Sequence, residues 1–224
     1  MMRYKVLAVC LLLCLNGAVY LQASEFQSCA NSPVIVNTSD SEALRHACDA
    51  VDITFRLMRM YGMELPPRLE IEIVDVLNEL HATQRFGQFD PFEYNLAIMS
   101  LAACQAPAKR LKPFAQPMDR ALHSSFIAHE VAHAVAEWNF KIAEPSFLTH
   151  EYLAYVFQIA TMPFDLRTAI LQHIDVPAWQ PEEINETYYN LNPDYFAVKS
   201  YRHFIQTKDK KALIHSLLAG EPIR

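Results

Sequence analysis

Several features that would assign a function class are missing from this sequence of 224 residues. Its 25 acidic and 19 basic residues give a formal net charge of -6, and the basic residues are scattered along the chain. Nucleic-acid-binding domains carry a basic patch or stripe, so we expect no nucleic-acid partner. No CxxC spacing occurs, which argues against a thiolate metal site or a redox motif. The chain has no internal repeat, and its ordinary composition indicates one globular domain.

An uninterrupted apolar run of about 20 residues, as a membrane-spanning helix requires, is also missing. The apolar stretch over residues 6–21 contains Asn and Gly near its end. Basic residues precede this stretch and small residues follow it, which is typical of an export signal cleaved after Ala23. The sequence therefore predicts a signal peptide over residues 1–23 and a single domain over residues 24–224. We expect a secreted or periplasmic protein without stable membrane insertion, with an uncleaved anchor as the alternative.

The cysteines fit an exported chain. Removal of the signal leaves three of them, an odd number for an oxidising compartment. Cys29 and Cys48 are close enough in sequence to join the N-terminal segment to the first helix. We therefore predict a disulfide between these two and an unpaired Cys104.

Hydrophobic periodicity places strands early in the chain and helices late. Strands are predicted over 32–38 and, after the Pro-Pro break, over 68–75, followed by a hairpin that turns at Asp90-Pro91 and has its second arm from Tyr94 to Leu101. Helices are predicted over 39–62, from a cap near Asp119, and over most of the chain after residue 144. Three prolines predict a loop over 105–118. This order indicates an α+β fold with a small N-terminal mixed sheet and a mostly helical C-terminal part.

The stretch SSFIAHEVAHAVAEW over residues 124–138 places two histidines four positions apart in one of these helices. Four residues make slightly more than one turn, so the imidazoles of His129 and His133 lie on nearly the same face and can bind one ion. Glu130 is offset by about 100° and can reach a metal-bound water without being a ligand. Catalytic zinc requires three protein ligands and one open position. A third ligand must therefore come from another part of the chain.

Glu151 is the predicted third ligand. It lies eighteen positions after His133, in a second helix that is apolar on most sides. A buried carboxylate requires a partner, and a metal ion is one. The alternatives are Glu144, Glu137 and His150, although we expect Glu137 to make a surface contact of its own helix.

The HExxH motif followed by Glu151 resembles that of the gluzincin metallopeptidases, the thermolysin-like and aminopeptidase-like zinc proteases. The resemblance implies a zincin-like fold and Zn²⁺ bound by His129, His133 and Glu151. It further implies hydrolysis of a peptide or protein substrate, with Glu130 as the general base that activates the zinc-bound water and then protonates the leaving amine. An edge strand that pairs with the substrate backbone is also implied, and the arm from Tyr94 to Leu101 is where we expect it.

Peptidases of this class commonly stabilise the oxyanion with a Tyr or His from the C-terminal half. Tyr195 and His203 are the candidates for that role here, and packing is the alternative explanation for both. The thermolysin branch has an Asp four residues after the ligand glutamate, whereas this chain has Tyr155. The residue that orients a ligating imidazole is therefore not assigned by the sequence.

These observations together predict an exported zinc metallohydrolase, most specifically a peptidase. One alternative is a non-catalytic binding protein that retains a zincin fold with a structural metal. Another is a helical domain without zinc, in which the motif is a coincidence.

Overall fold

The computed structural model of the protein describes residues 26–30, 32–77, 86–180 and 183–223. The strands are β1 (Phe26–Ser28), β2 (Val34–Asn37), β3 (Leu69–Val74), β4 (Gly87–Asp90) and β5 (Asn95–Met99). The helices are α1 (Ser41–Met60), α2 (Leu101–Leu111), α3 (Arg120–Asn139), α4 (Phe147–Thr161), α5 (Phe164–His173), α6 (Glu186–Leu191), α7 (Pro193–Gln206) and α8 (Lys210–Leu218). The predicted α+β class, with a small mixed sheet and a mostly helical remainder, is confirmed.

The strands form one sheet in the order β1-β2-β3-β5-β4. β2, β3 and β5 are parallel to one another, whereas β1 and β4 pair antiparallel at the two edges. The predicted hairpin is present, and the Asp90 carboxylate accepts the backbone N–H groups of Phe92 and Glu93 in its turn. Its second arm, β5, is not the edge strand that we expected, because β5 also pairs with β3. The hairpin therefore leaves its first arm, β4, at the edge.

The predicted loop over 105–118 is wrong for its first half, because α2 continues to Leu111. Pro107 lies inside α2 and cannot donate the backbone hydrogen bond of a helical residue. Two other features offset that loss. The Ser100 side chain caps the helix by accepting the N–H of Ala103, and Cys104 and Ala108 bury one face of α2 in the core.

α3 is the central helix of the fold. It begins after Asp119, whose carboxylate accepts the N–H of Leu122 at 2.8 Å, as the sequence predicts. α3 packs against α1 and α4 and also contacts β4 and β5. Most of its side chains are buried, including the polar side chains of His129 and Glu130.

The predicted disulfide between Cys29 and Cys48 is confirmed, and it joins the segment after β1 to α1. Cys104 is unpaired and buried, also as predicted. The predicted signal peptide lies outside the described residues. Among the helices of the described ranges, none has the length and apolar character that crossing a bilayer requires.

Two buried histidines link α1, α3 and β5 away from the HExxH motif. Nε2 of His123 lies 2.8 Å from the carbonyl oxygen of Met99, which can only accept a hydrogen bond. His123 therefore donates through Nε2 and, as a neutral ring, accepts through Nδ1 from Nε2 of His46 at 2.8 Å. Burial, together with the neighbouring His123, lowers the pKa of His46 from 6.5 to about 4.

This lowered pKa predicts acid sensitivity. Between pH 6.5 and 4 the unfolded chain protonates His46 whereas the folded chain does not, so the free energy of unfolding decreases as the pH decreases. The contribution of His46 over this range is about 2–3 kcal/mol. We expect H46Q, whose amide can still donate to His123, to weaken the pH dependence by that amount. Urea unfolding of chelator-treated protein at pH 7.5 and pH 4.5 measures it. H173Q, at an exposed histidine, is the control, and an H46Q variant with the wild-type pH dependence would contradict the assignment.

Candidate metal centre

A cavity of about 280 Å³ lies over the middle of α3. α3 supplies His129, Glu130 and His133 to its wall, and α4 supplies Glu151. The third side is formed by the segment around β4, through residues such as Phe89. Two helices and the edge strand of the sheet thus enclose one space.

The three predicted ligands meet in this cavity. Nε2 of His129 and Nε2 of His133 are 3.1 Å apart. The Glu151 carboxylate lies 3.7 Å from each of them, through Oε2 towards His129 and Oε1 towards His133. One ligand atom from each residue lies within 4.8 Å of the others. Ligand atoms around a tetrahedral zinc are about 3.3–3.6 Å apart, so this buried group could hold one metal ion.

A chain of hydrogen bonds fixes the orientation of His129. The Ser125 hydroxyl donates to the carbonyl oxygen of Leu122 at 2.7 Å, so its oxygen accepts from the Gln158 amide nitrogen at 3.3 Å. The amide oxygen of Gln158 then accepts from Nδ1 of His129 at 3.0 Å. A neutral His129 that is protonated on Nδ1 presents the lone pair of Nε2 towards His133 and Glu151. Gln158 is thus the orienting residue that the sequence did not identify.

Glu130 lies directly against the edge strand. A Cβ atom added to Gly87 in β4 would be 2.6 Å from Cγ of Glu130 and 2.9 Å from Cδ1 of Ile98. The strand can therefore pass this close to α3 only because residue 87 has no side chain. The Tyr94 hydroxyl also donates to the carbonyl oxygen of Ala134 at 2.6 Å, which attaches the hairpin to α3. The backbone of β4 consequently limits where the Glu130 carboxylate can lie.

Tyr155 and Tyr189 line the cavity beside the ligands. The rings of Tyr155 and His129 are in edge contact, with centroids 4.5 Å apart. Burial raises the pKa of Tyr155 well above its ordinary value, and the nearby Glu151 carboxylate adds to the increase. Near neutral pH the Tyr155 hydroxyl is therefore protonated and can donate a hydrogen bond.

The structure does not bring Tyr195 or His203 to the described wall of this cavity. Nδ1 of His203 lies 2.7 Å from the hydroxyl of Tyr152, on the face of α7 that packs against α4. Tyr195, in the first turn of α7, is 40% exposed. Both residues are predicted from their place in the C-terminal half of the chain, which does not determine the face of α7 that meets the candidate ligands.

The alternative ligands also have defined positions. Glu144 is exposed in the connection between α3 and α4. Glu137 and His150 line the same cavity as the ligands, and Oε2 of Glu137 lies 3.1 Å from Nε2 of His150. Glu137 thus pairs with a residue of α4 inside the cavity, and not with its own helix surface as expected.

Comparison with known proteins gives one finding. A family model described as "Family of unknown function (DUF6639)" matches residues 34–223. The match extends from β2 past the end of α8 and includes every residue of the candidate metal centre. No curated protein and no solved structure matches the chain.

The orientation of His129 by Gln158 is testable. Q158L removes the acceptor for Nδ1–H with little change in volume, so we expect the affinity of the candidate site for a divalent metal, measured with Zn²⁺, to fall by about 10–100-fold. Competition with a chromophoric chelator measures the affinity. Q158E keeps an acceptor oxygen at this position and is expected to retain more of the affinity. Wild-type zinc affinity in folded Q158L protein would show that the hydrogen bond does not support the site.

Proposed function

We propose that this chain, which belongs to DUF6639, a family of unknown function, is a zinc-dependent peptidase. One observation carries the proposal. Two imidazoles of α3 and a carboxylate of α4 meet in a cavity that Glu130 also lines. His129, Glu130 and Glu151 are buried, and the side chain of His133 is only 12% exposed. Burying four such polar groups on largely apolar helices costs free energy unless they pair with one another or with a metal ion.

The donor set supports zinc. Two imidazole nitrogens and one carboxylate are a ligand set that catalytic zinc sites use, with one coordination position left for water or substrate. The cavity beside His129, His133 and Glu151 has room for that position. When bound there, zinc would polarise a substrate carbonyl and lower the pKa of a water molecule towards ~7.

Glu130 is the proposed general base. It directly follows a ligand on α3, lines the cavity, and is held against Gly87 of β4. Its carboxylate accepts the proton of the attacking water and then donates it to the leaving amine. A tyrosine hydroxyl stabilises the oxyanion that develops on the carbonyl oxygen. We assign that role to Tyr155 or Tyr189, which line the cavity, in preference to Tyr195 or His203.

The edge strand supports a peptide as the substrate. Among the described residues, β4 pairs with β5 alone, and it lies beside the cavity. Its outer backbone groups can pair with an extended polypeptide, as edge strands do in β-strand addition. A peptide bound in this way would pass next to the candidate ligands and Glu130.

Metal content and turnover together test the proposal. We expect about one zinc per wild-type chain, and cleavage of a mixed library of quenched fluorescent peptides. E151A removes a ligand and should lose zinc and activity. E130Q keeps the ligands and should retain zinc while activity falls by about 10²–10⁴-fold.

Four results would contradict the proposal in different ways. Protein without zinc would favour a coincidental motif. Zinc without cleavage would favour a non-catalytic protein with a structural metal, and equal cleavage by E130Q and wild type would remove Glu130 as the general base. E151A protein that binds zinc as tightly as wild type would remove Glu151 from the ligand set.

The contact between Gly87 and Glu130 gives a second prediction for this reaction. A methyl group in G87A would overlap the Glu130 side chain, so either Glu130 or β4 must move. Displacement of a positioned base by about 1 Å can cost about 10²-fold in rate, and we expect a loss of at least about tenfold with zinc retained. Steady-state kinetics with metal analysis measures both. Q88A, at the next residue of β4, is the matched control, and wild-type turnover in G87A would contradict this role for Gly87.

A further inference from the structure

The candidate active-site cavity is aromatic at one end and polar at the other. Phe126 on α3 and Phe86 before β4 have ring centroids 4.8 Å apart at one end. Glu137 and His150 form an ion pair or hydrogen bond at the other end. All four residues line the cavity. Phe126 and Glu137 are about 16 Å apart along the axis of α3, with the HExxH motif between them.

Glu137 lies one helical turn after His133, or about 6 Å farther along α3. Its side chain is 33% exposed, so its carboxylate is only partly hydrated while it faces the cavity. Two ring systems adjoin it. His150 contacts one carboxylate oxygen, and Tyr94 is close enough for Glu137 to raise the pKa of its hydroxyl, although burial of Tyr94 is the larger cause. A partly desolvated charge lies in an environment of lower dielectric constant, so it interacts more strongly with a charged ligand than it would in bulk water.

The charges of the wall favour a cationic ligand at this position. A divalent ion would offset the negative charges of Glu151 and Glu130. Glu137 is then the remaining carboxylate; His150 contacts one of its oxygens, Oε2, and the described part of the cavity wall contains no lysine or arginine. A cationic group beside Glu137 would be attracted, whereas a carboxylate would be repelled.

We propose that Glu137 selects substrates that carry an ammonium or guanidinium group within about two residues of the cleaved bond. For a peptide that runs along α3, the roughly 6 Å between residues 133 and 137 corresponds to about two residues of an extended strand. The group can be a Lys or Arg side chain or the free α-amino terminus of a short peptide, which share the chemistry that Glu137 recognises. This inference rests on the proposed peptidase function and adds its substrate class.

Matched peptide pairs test the proposal and separate the two sources of charge. In one arm, quenched fluorescent peptides with Lys at one or two residues from the cleaved bond are compared with the same peptides carrying norleucine. In the other arm, short peptides with a free amino terminus are compared with their acetylated forms. The quantity measured is the ratio of kcat/KM for the cationic member to that for the neutral member.

We expect a ratio of at least about tenfold for wild type in one arm, equivalent to about 1.4 kcal/mol. E137Q should bring that ratio close to one, and E137D, which keeps the charge on a shorter side chain, should retain part of it. E144Q, at the exposed glutamate between α3 and α4, should keep the wild-type ratio.

The outcomes distinguish the inference from the function on which it rests. Cleavage with no charge preference in either arm overturns the inference alone. So does a preference that E137Q leaves unchanged, including the case in which E137Q slows both members of a pair equally through a structural effect. Zinc-loaded wild-type protein that cleaves no peptide of either arm overturns the proposed function and the inference together.

Discussion

The approach of α4 to α3 is the contact on which the rest of the structure depends. α3 is enclosed by α1, α4 and the sheet, so polar side chains on it cannot be hydrated freely. α4 supplies partners for these polar side chains through two polar residues of its own on one face. Gln158 accepts a hydrogen bond from His129, and Glu151 lies 3.7 Å from both imidazoles of the motif. The packing of the two helices therefore also brings together the residues of the candidate metal centre, and a change in their relative position would disturb both.

The sheet completes the site through the β4–β5 hairpin. Pairing of β5 with β3 places β4 at the edge, and the Tyr94 hydroxyl attaches the hairpin to α3. The absence of a side chain at Gly87 then allows β4 to contact Glu130. The candidate ligands are thus positioned by helix packing, whereas the proposed base is positioned from the opposite side by a strand. A substitution can therefore disturb the candidate ligands without moving the proposed base, or the reverse.

Sequence alone predicted the parts of the site that depend on local periodicity. The step from His129 to His133 is a property of any helix, and an acid such as Glu151 in an apolar helix indicates a buried partner whatever the fold. The cap at Asp119 and the α+β order were predictable for similar local reasons.

The remaining features depend on contacts between distant segments. Gln158 is recognisable as an orienting residue only once α4 is placed against His129, and Gly87 matters only because β4 meets Glu130. Tyr195 and His203 were selected by chain order, but the face that α7 presents is set by its packing on α4. Pro107 favours a loop on local grounds. The burial of Cys104 and Ala108, which stabilises α2 despite the proline, depends on tertiary packing and cannot be predicted from the local sequence.

The disulfide at Cys29 has a consequence for how copies of the protein can associate. It anchors the segment that follows β1, a strand of only three residues, and edge strands this short are poor templates for further pairing. Extension of the sheet by a second molecule is then directed to the opposite margin, along β4. The proposed peptide substrate would pair with the same edge, beside the candidate metal centre, so a second molecule bound along β4 would compete with it.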